Sequence, residues 1–376
     1  MHDLSRSYRP LFIALAAACL MEASHASPRI ELLGGLESRP RQVTGQAQAI
    51  SADGSVVVGF GALSGTHVHY PELMRLAAFR WTRATGIRPL AFLPRGGHLA
   101  GAEAISADGT VIVGSSDDLA ADGDYVPMRA TRWGADNVPQ ALPPLAEEWA
   151  SSATGVTGDG RVIVGYSATA DLQRRAVRWS GDAAPRNLGT LGGHGAYAAA
   201  VSRDGRYIVG AAHNAAGQTR AFVWNESDGM RDIGALPGQS GAKATAISAN
   251  GNVVVGSCAA SLKLTHGETP EADAGAAVKG FVWNRASGAM QEVVNTLGGN
   301  ITLPAAVSAD GSEVYGVAYD AHRRRHVFRW SRENGMRIAA AAPNGLRMAL
   351  MQSMSDDGRY LVGQLETGQA YRAEWR

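Results

Sequence analysis

The chain has 376 residues, 46 of them glycine, and a formal net charge of +1. Few charges beside 45% hydrophobic residues exclude a disordered chain, which needs high charge and low hydrophobicity. Near-neutrality excludes a bulk electrostatic drive toward nucleic acid or an anionic membrane.

The first element is an export signal. Arg6 and Arg9 precede an apolar run at 11–21, and Ser24, His25 and Ala26 make a small-x-small cleavage site, so residues 1–26 read as a signal peptide. The run is too short to span a bilayer as a helix. Cys19 follows three alanines and weakly resembles a bacterial lipoprotein cleavage site, without the usual large aliphatic residue three positions earlier. Cleavage after Ala26 leaves one cysteine, Cys258. That excludes an internal disulfide and reads as a packed, inert thiol.

From residue 27 one unit repeats. Each copy has a hydroxyl-x-Asp/Asn-Gly turn, with its glycine at Gly54, Gly109, Gly160, Gly205, Gly251, Gly311 or Gly358, at separations of 45 to 60 residues. Periods of this size mark propellers, solenoids or arrays. Each turn leads into a β-rich run ending in glycine, such as 56–59 or 253–256. Asp-Gly between two apolar strands is a strong hairpin signal. A third strand ends at Trp81, Trp133, Trp179, Trp224, Trp283, Trp330 or Trp375, and one tryptophan per unit reads as packing between neighbouring sheets. A fourth strand is expected on the leucines at 90–93, 142–145, 188–191, 233–236, 293–297 and, degraded, 337–341. The seventh copy is due where the chain stops, but its match lies at 29–36, where Leu33-Gly34-Gly35-Leu36 parallels Leu188-Gly189-Thr190-Leu191. Together these predict an all-β, seven-bladed β-propeller of four-stranded antiparallel blades. Residues 27–376 form its single domain, closed by the N-terminal strand pairing into the last blade.

The strand order, the turn and the terminal tryptophan resemble WD-repeat propellers, and Gly97-His98 and Gly193-His194 echo that family's glycine-histidine. No aspartate follows any of the tryptophans. The pattern at 188–193, 202–205, 208–210 and 220–224 is more similar to the bacterial extracellular HAF repeats, with LGxLGG, Ser-x-Asp-Gly, VVVG and [HR]AFxW in turn. The resemblance covers nearly the whole mature chain and implies export to an extracellular or cell-surface setting. It implies no reaction and carries over no catalytic residue.

Insertions fall between second and third strands, at 60–77, 115–128 and 257–278, so one face of the propeller carries them. Loops on a rigid scaffold are where binding residues sit. On or near that face, His67 and His69 put two imidazoles on one side of an extended segment, as a metal could use. Asp117, Asp118, Asp122 and Asp124 offer oxygen ligands suited to calcium, outside the EF-hand spacing. Arg323, Arg324, Arg325 and His326 form a basic patch for an acidic glycan or phosphate. Four residues before the tryptophan stands a cation or imidazole in five units: Arg129, Arg175, Arg220, Lys279 and His326. These either form an anion-binding ring or pair with neighbouring carboxylates and backbone. The innermost strands offer small residues such as Ala49, Ala104 and Ala200, with Gln48, Glu103 and Gln352 as polar neighbours, and no evident catalytic set.

The sequence therefore points to a secreted, periplasmic or cell-surface binding or adhesion module for a glycan, envelope component or protein partner. It expects no nucleic acid, no catalytic residue, no transmembrane segment after signal removal, and no cofactor unless calcium at the acidic loop. A propeller hydrolase or lyase acting on polysaccharide, and a purely structural scaffold, are the alternatives.

Overall fold

The repeat works because three residues of each turn have separate tasks. In the fourth unit Ser202 Oγ accepts the Tyr207 N–H at 3.0 Å and donates to Asp204 Oδ1 at 2.7 Å, while the same carboxylate oxygen accepts the Arg206 N–H at 3.0 Å. Gly205 closes the turn with an N–H···O bond to Ser202 at 2.9 Å and sits at φ +74°, where a side chain is strained. Each hydroxyl is buried, so it stands in for water on backbone groups the hairpin would otherwise orphan.

The computed structural model describes residues 29–36, 45–66, 74–118, 127–145, 149–171, 173–181, 183–264, 276–339 and 345–375. The expected signal at 1–26, with Cys19 and the cleavage site after Ala26, lies outside them. The described strands form seven four-stranded antiparallel sheets. Blades 1 to 6 span residues 45–89, 100–141, 150–187, 192–232, 241–293 and 298–338; blade 7 combines residues 348–374 with Arg29–Leu32. The N-terminal strand runs antiparallel to Ala370–Glu374, with Ile30 opposite Ala373 and Leu32 opposite Tyr371. Glu31 ties this closure on both sides, at 2.9 Å to Arg372 and 3.0 Å to Arg83 of blade 1. First strands of adjacent blades touch all the way round, the seventh returning to the first. The expected closed ring is the observed one.

Packing between blades follows the tryptophans. Trp133 is fully buried among Val56, Val58 and Ala78 of blade 1, and its Nε1 donates to Ala91 O at 2.7 Å. Trp179 repeats the arrangement one blade on, with its Nε1 on Pro143 O at 2.7 Å. Trp375 lies just past its strand and meets the Tyr315 ring edge-on at 6.1 Å.

One expectation is corrected. The leucine motifs are not the fourth strands; those are the segments just before them, such as Gly86–Pro89, Arg186–Asn187 and Gly229–Asp232. The motifs are the links between blades. Gly34, Gly189 and Gly234 have φ of +86°, +84° and +88°, which turns the chain out of the sheet, and Leu33, Leu188, Leu236, Leu90 and Leu93 bury their side chains beneath the turn. A left-handed glycine inside the motif is incompatible with a continuing strand.

Candidate functional site

Strand direction puts the Asp-Gly turns on one face of the ring, and the interblade links with the second-to-third-strand loops on the other. Between the faces, every first strand carries the same irregularity. Its register against the second strand skips one residue, and the skipped residues are Gln48, Glu103, Thr154, Ala199, Thr245, Ala305 and Gln352. A β-bulge re-aims a side chain and leaves one residue unpaired. Here all seven line an axial cavity of about 510 Å³.

The bulge also accounts for the glycine ending each second-strand run. A Cβ at Gly210 would collide with Tyr197 O and lie 3.0 Å from Ala198 Cα; Gly59, Gly114, Gly165, Gly256, Gly316 and Gly363 meet the corresponding carbonyl in the same way. None of them has positive φ, so close backbone approach, not left-handed geometry, selects glycine.

Counting back from each turn hydroxyl, three rings face the axis. One residue back stand Ile50, Ile105, Val156, Val201, Ile247, Val307 and Met354, an apolar waist. Three back is the bulge ring. Five back, toward the loop-bearing face, Gln46, Tyr197, Lys243, Leu303 and Leu350 line the cavity. Polar groups occupy blades 1 to 5 and, through Gln352 and Ser353, blade 7, whereas blade 6 presents Leu303, Pro304, Ala305 and Val317. Thr154 Oγ1 donates to Ala198 O at 2.8 Å and Thr245 Oγ1 to Pro304 O at 2.9 Å, so these hydroxyls fasten adjacent blades.

Glu103 is the chemical centre of the cavity. Its Oε2 accepts one long bond from Gln48 Nε2 at 3.3 Å, and burial raises its pKa from 4.5 to about 7. Tyr166 lies behind it with the Arg174 guanidinium 4.8 Å from its ring centroid. Burial, and next in that direction the Glu103 charge, raise the Tyr166 pKa, while Arg174 opposes them. Tyr197 is buried and raised by burial. Lys243, 4% exposed, stands opposite Ser257 in the blade 5 wall.

The turn face is tied across five of its seven blade junctions. The second turn residues bond around the ring: Ala52 N to Ala107 O at 3.0 Å, Ala107 N to Gly158 O at 3.1 Å, Gly158 N to Arg203 O at 3.1 Å, Arg203 N to Ala249 O at 3.2 Å and Asp356 N to Ala52 O at 3.1 Å. Arg203 of blade 4 forms an ion pair with Asp356 of blade 7 across the mouth. Only a shallow hollow of about 160 Å³ remains there.

The residues singled out from sequence are distributed differently. His67, His69, Asp122 and Asp124 lie outside the described residues. Asp117 is fully buried, and its carboxylate accepts the Gly97 and His98 N–H groups at 3.0 and 2.9 Å, so it staples a link. Asp118 is held by both Arg95 nitrogens at 3.0 Å. Among the described residues no group of three or more His, Cys, Asp or Glu is arranged to hold a metal. The cation positions take neighbours: Arg220 pairs with Asp232, Lys279 with Glu292, and His326 with Asp320, at 2.9, 2.9 and 3.1 Å. Arg324 joins Asp320 at 2.8 Å, Arg325 Nε donates to Tyr319 Oη at 2.9 Å, and Arg323 occupies the tip of that turn at φ 61°. Arg129 lies opposite Ser116 and keeps a buried Nη1 without a bond; Arg175 is exposed opposite Ser167. Cation pairing, not a common anion ring, describes three of the five positions. Cys258 is buried with its pKa pushed up to about 11, the inert thiol expected.

Sequence reasoning missed Tyr197, Lys243, Thr154 and Thr245. The signal was present, because all four lie three or five residues before a turn hydroxyl.

No family model matches the chain, and no curated relative matches it by sequence. Among solved structures it is similar to an oligogalacturonate lyase in complex with manganese (TM-score 0.53, 13% identity, covering 93% of this chain and 97% of that one). It is also similar to a puromycin hydrolase (TM-score 0.52, 16% identity), covering 90% of this chain and 56% of that one. TolB from Acinetobacter baumannii aligns at a TM-score of 0.45 and 13% identity, over 90% of this chain and 86% of that one. The likeness is of fold alone. The class it defines is the β-propeller, and among the described residues no helix is long and apolar enough to cross a membrane.

Proposed function

We propose that the protein is an exported β-propeller binding module that recognises a glycan, an envelope component or a protein partner through its loop-bearing face. The observation that carries this reading is the inequality of the two faces. On the turn face, backbone bonds join five of the seven neighbouring pairs of second turn residues and Arg203 pairs with Asp356, whereas the ring of Gln46, Tyr197 and Lys243 lies toward the other face, where the second strands end. A rigid scaffold with variable loops and a partly polar pocket on one side is the arrangement ligand sites favour. A hydrolytic or lyase reading draws on Glu103, whose near-neutral pKa suits an acid or base. Among the described residues its hydrogen bond is to the uncharged Gln48 and no second acid, base or nucleophile is bonded to it, so binding is preferred.

The test uses a glycan array and purified envelope fractions, probed with the full chain and with variants in which residues 67–73 and 265–275 are replaced by short Gly-Ser links. The strands flanking these segments are left intact. Saturable binding that disappears in the shortened variants is the expected result. Undiminished affinity in both would overturn the loop-face assignment.

A further inference from the structure

The axial cavity is polar along one arc and apolar across from it. Gln352 and Ser353 of blade 7, Gln46 and Gln48 of blade 1, and Glu103 of blade 2 line neighbouring blades. Gln46 Nε2 donates to Gln48 Oε1 at 3.4 Å, and Gln48 Nε2 to Glu103 Oε2 at 3.3 Å. Both bonds are longer than a well-formed N–H···O bond of about 2.7–3.2 Å. Blade 6 lies three blades from blade 2 round the ring, so its Leu303, Pro304 and Val317 stand roughly across the axis from Glu103.

A side-chain amide carries two N–H donors and a carbonyl acceptor, and a carboxyl accepts in either state and donates when protonated. Two long bonds leave much of that capacity unspent, and a polar group removed from water without a good partner is costly. The bulges put Gln48, Glu103 and Gln352 on the axis, so the capacity faces the cavity and not the inside of a blade. Charge then narrows the ligand. Glu103 is the one acid among the described residues lining the cavity, whereas a hard cation gathers several oxygen ligands. An anion would face Glu103 as it ionises. Lys243, the cation of the lining, is already engaged within the protein. A neutral molecule whose groups both donate and accept satisfies the arc, and an apolar face suits blade 6. A sugar ring is built in this way, with hydroxyls along its edge and C–H bonds on its face. The cavity, about 510 Å³, lies within the range of about 300–1,000 Å³ usual for small-molecule sites.

Resting on the binding-module reading and narrowing it to a glycan, we propose that the axial cavity holds one neutral sugar unit. Its hydroxyls bridge Gln48, Glu103 and Gln352, and a C–H face packs on Leu303, Pro304 and Val317. Gln46 and Ser353 stand beside these groups on blades 1 and 7. The role of Glu103 is to exchange hydrogen bonds with hydroxyls, so an amide of the same shape can take it over and a thioether cannot. A site built to hydrogen-bond hydroxyls discriminates strongly against a ligand or a variant that leaves those bonds unmade.

Isothermal titration calorimetry on the purified protein decides the matter. The probes are the methyl glycosides of glucose, galactose, mannose and N-acetylglucosamine, with glucosamine and glucuronate as charged counterparts and cyclohexylmethanol as a ring without the edge of hydroxyls. At least one neutral glycoside is expected to bind saturably, and the charged counterparts and cyclohexylmethanol at least about tenfold more weakly. Glu103→Met should lose at least about tenfold in affinity for that glycoside, and Glu103→Gln should restore it to within about threefold of wild type. Gln48→Met is the second variant, with a loss like that of Glu103→Met, and a cooperative melt shows that each variant is folded. Overturning results are no heat with any neutral glycoside, tighter binding of glucosamine or glucuronate, equal binding of cyclohexylmethanol, or wild-type affinity in Glu103→Met. If array binding persists and is lost on loop shortening while the cavity variants leave it unchanged, this inference falls and the loop-face reading stands; if the array and the calorimetry both fail, the binding-module reading falls with it.

Discussion

Glu103 allows a stability argument that needs no ligand. Its carboxyl holds a proton more tightly in the folded chain, about 7 against 4.5. For an acid with a raised pKa, the folded state gains from protonation. That gain is fully present below pH 4.5 and is lost as the pH climbs through 7. A difference of roughly 2.5 units corresponds to at most about 3 kcal/mol. Glu103→Gln removes the titration and retains an oxygen that accepts from Gln48. The variant should therefore exceed the wild type by about 3 kcal/mol at pH 8, and the margin should shrink toward zero at pH 5. The five turn aspartates whose pKa is lowered, Asp53, Asp108, Asp159, Asp310 and Asp357, lose their contribution only as the pH falls below about 4. Between pH 5 and pH 8 the wild type and the variant share the contribution of His213, whose pKa burial lowers, so the difference between them isolates Glu103. Urea unfolding followed by tryptophan fluorescence at pH 5, 6, 7 and 8 measures the difference. A Glu103→Gln protein no more stable than wild type at pH 8, or offset equally at every pH, refutes the buried-carboxyl account.

Other consequences are structural. Gly210→Ala forces a methyl into the Tyr197 carbonyl and should cost about 3 kcal/mol, whereas Gly217→Ala, at φ +74° in open space, should cost about 1–2 kcal/mol; urea midpoints of the two rank them. Ser202→Ala takes the buried hydroxyl acceptor from the half-buried Tyr207 N–H and should cost about 1–3 kcal/mol in the same assay. Cys258 should resist a thiol reagent at pH 8 until denaturant is added, and rapid native labelling would contradict its burial.

Most of the architecture was legible because the repeat states it seven times. A hydroxyl, an Asp or Asn and a glycine at fixed offsets specify one turn geometry, and the displaced copy at 29–36 specifies closure. The leucine motifs were misplaced by a few residues, because Leu-x-x-Leu is apolar enough to pass for a strand and only the left-handed φ at Gly189 or Gly234 shows otherwise. The site was less legible. Strict alternation takes Ala49, Ala104 and Ala200 as the inner residues, but the bulge moves the axial position one residue earlier, to Gln48, Glu103 and Ala199. A one-residue slip changes which side chains a strand presents. Singly, Lys243 and Tyr197 look like ordinary strand residues; only the closed ring brings them into one cavity with Glu103.

The central claim is that this propeller receives its ligand from the loop-bearing face into the axial cavity, with the turn face tied across most of its blade junctions. Hydrogen exchange of the protein saturated with the tightest binder from the array or the calorimetry tests it most directly. The account predicts added protection in the first strands around Gln46, Glu103, Tyr197 and Lys243 and in the neighbouring second-to-third-strand loops, with the turns at 51–55, 106–110 and 202–206 unchanged. Protection confined to those turns would contradict it.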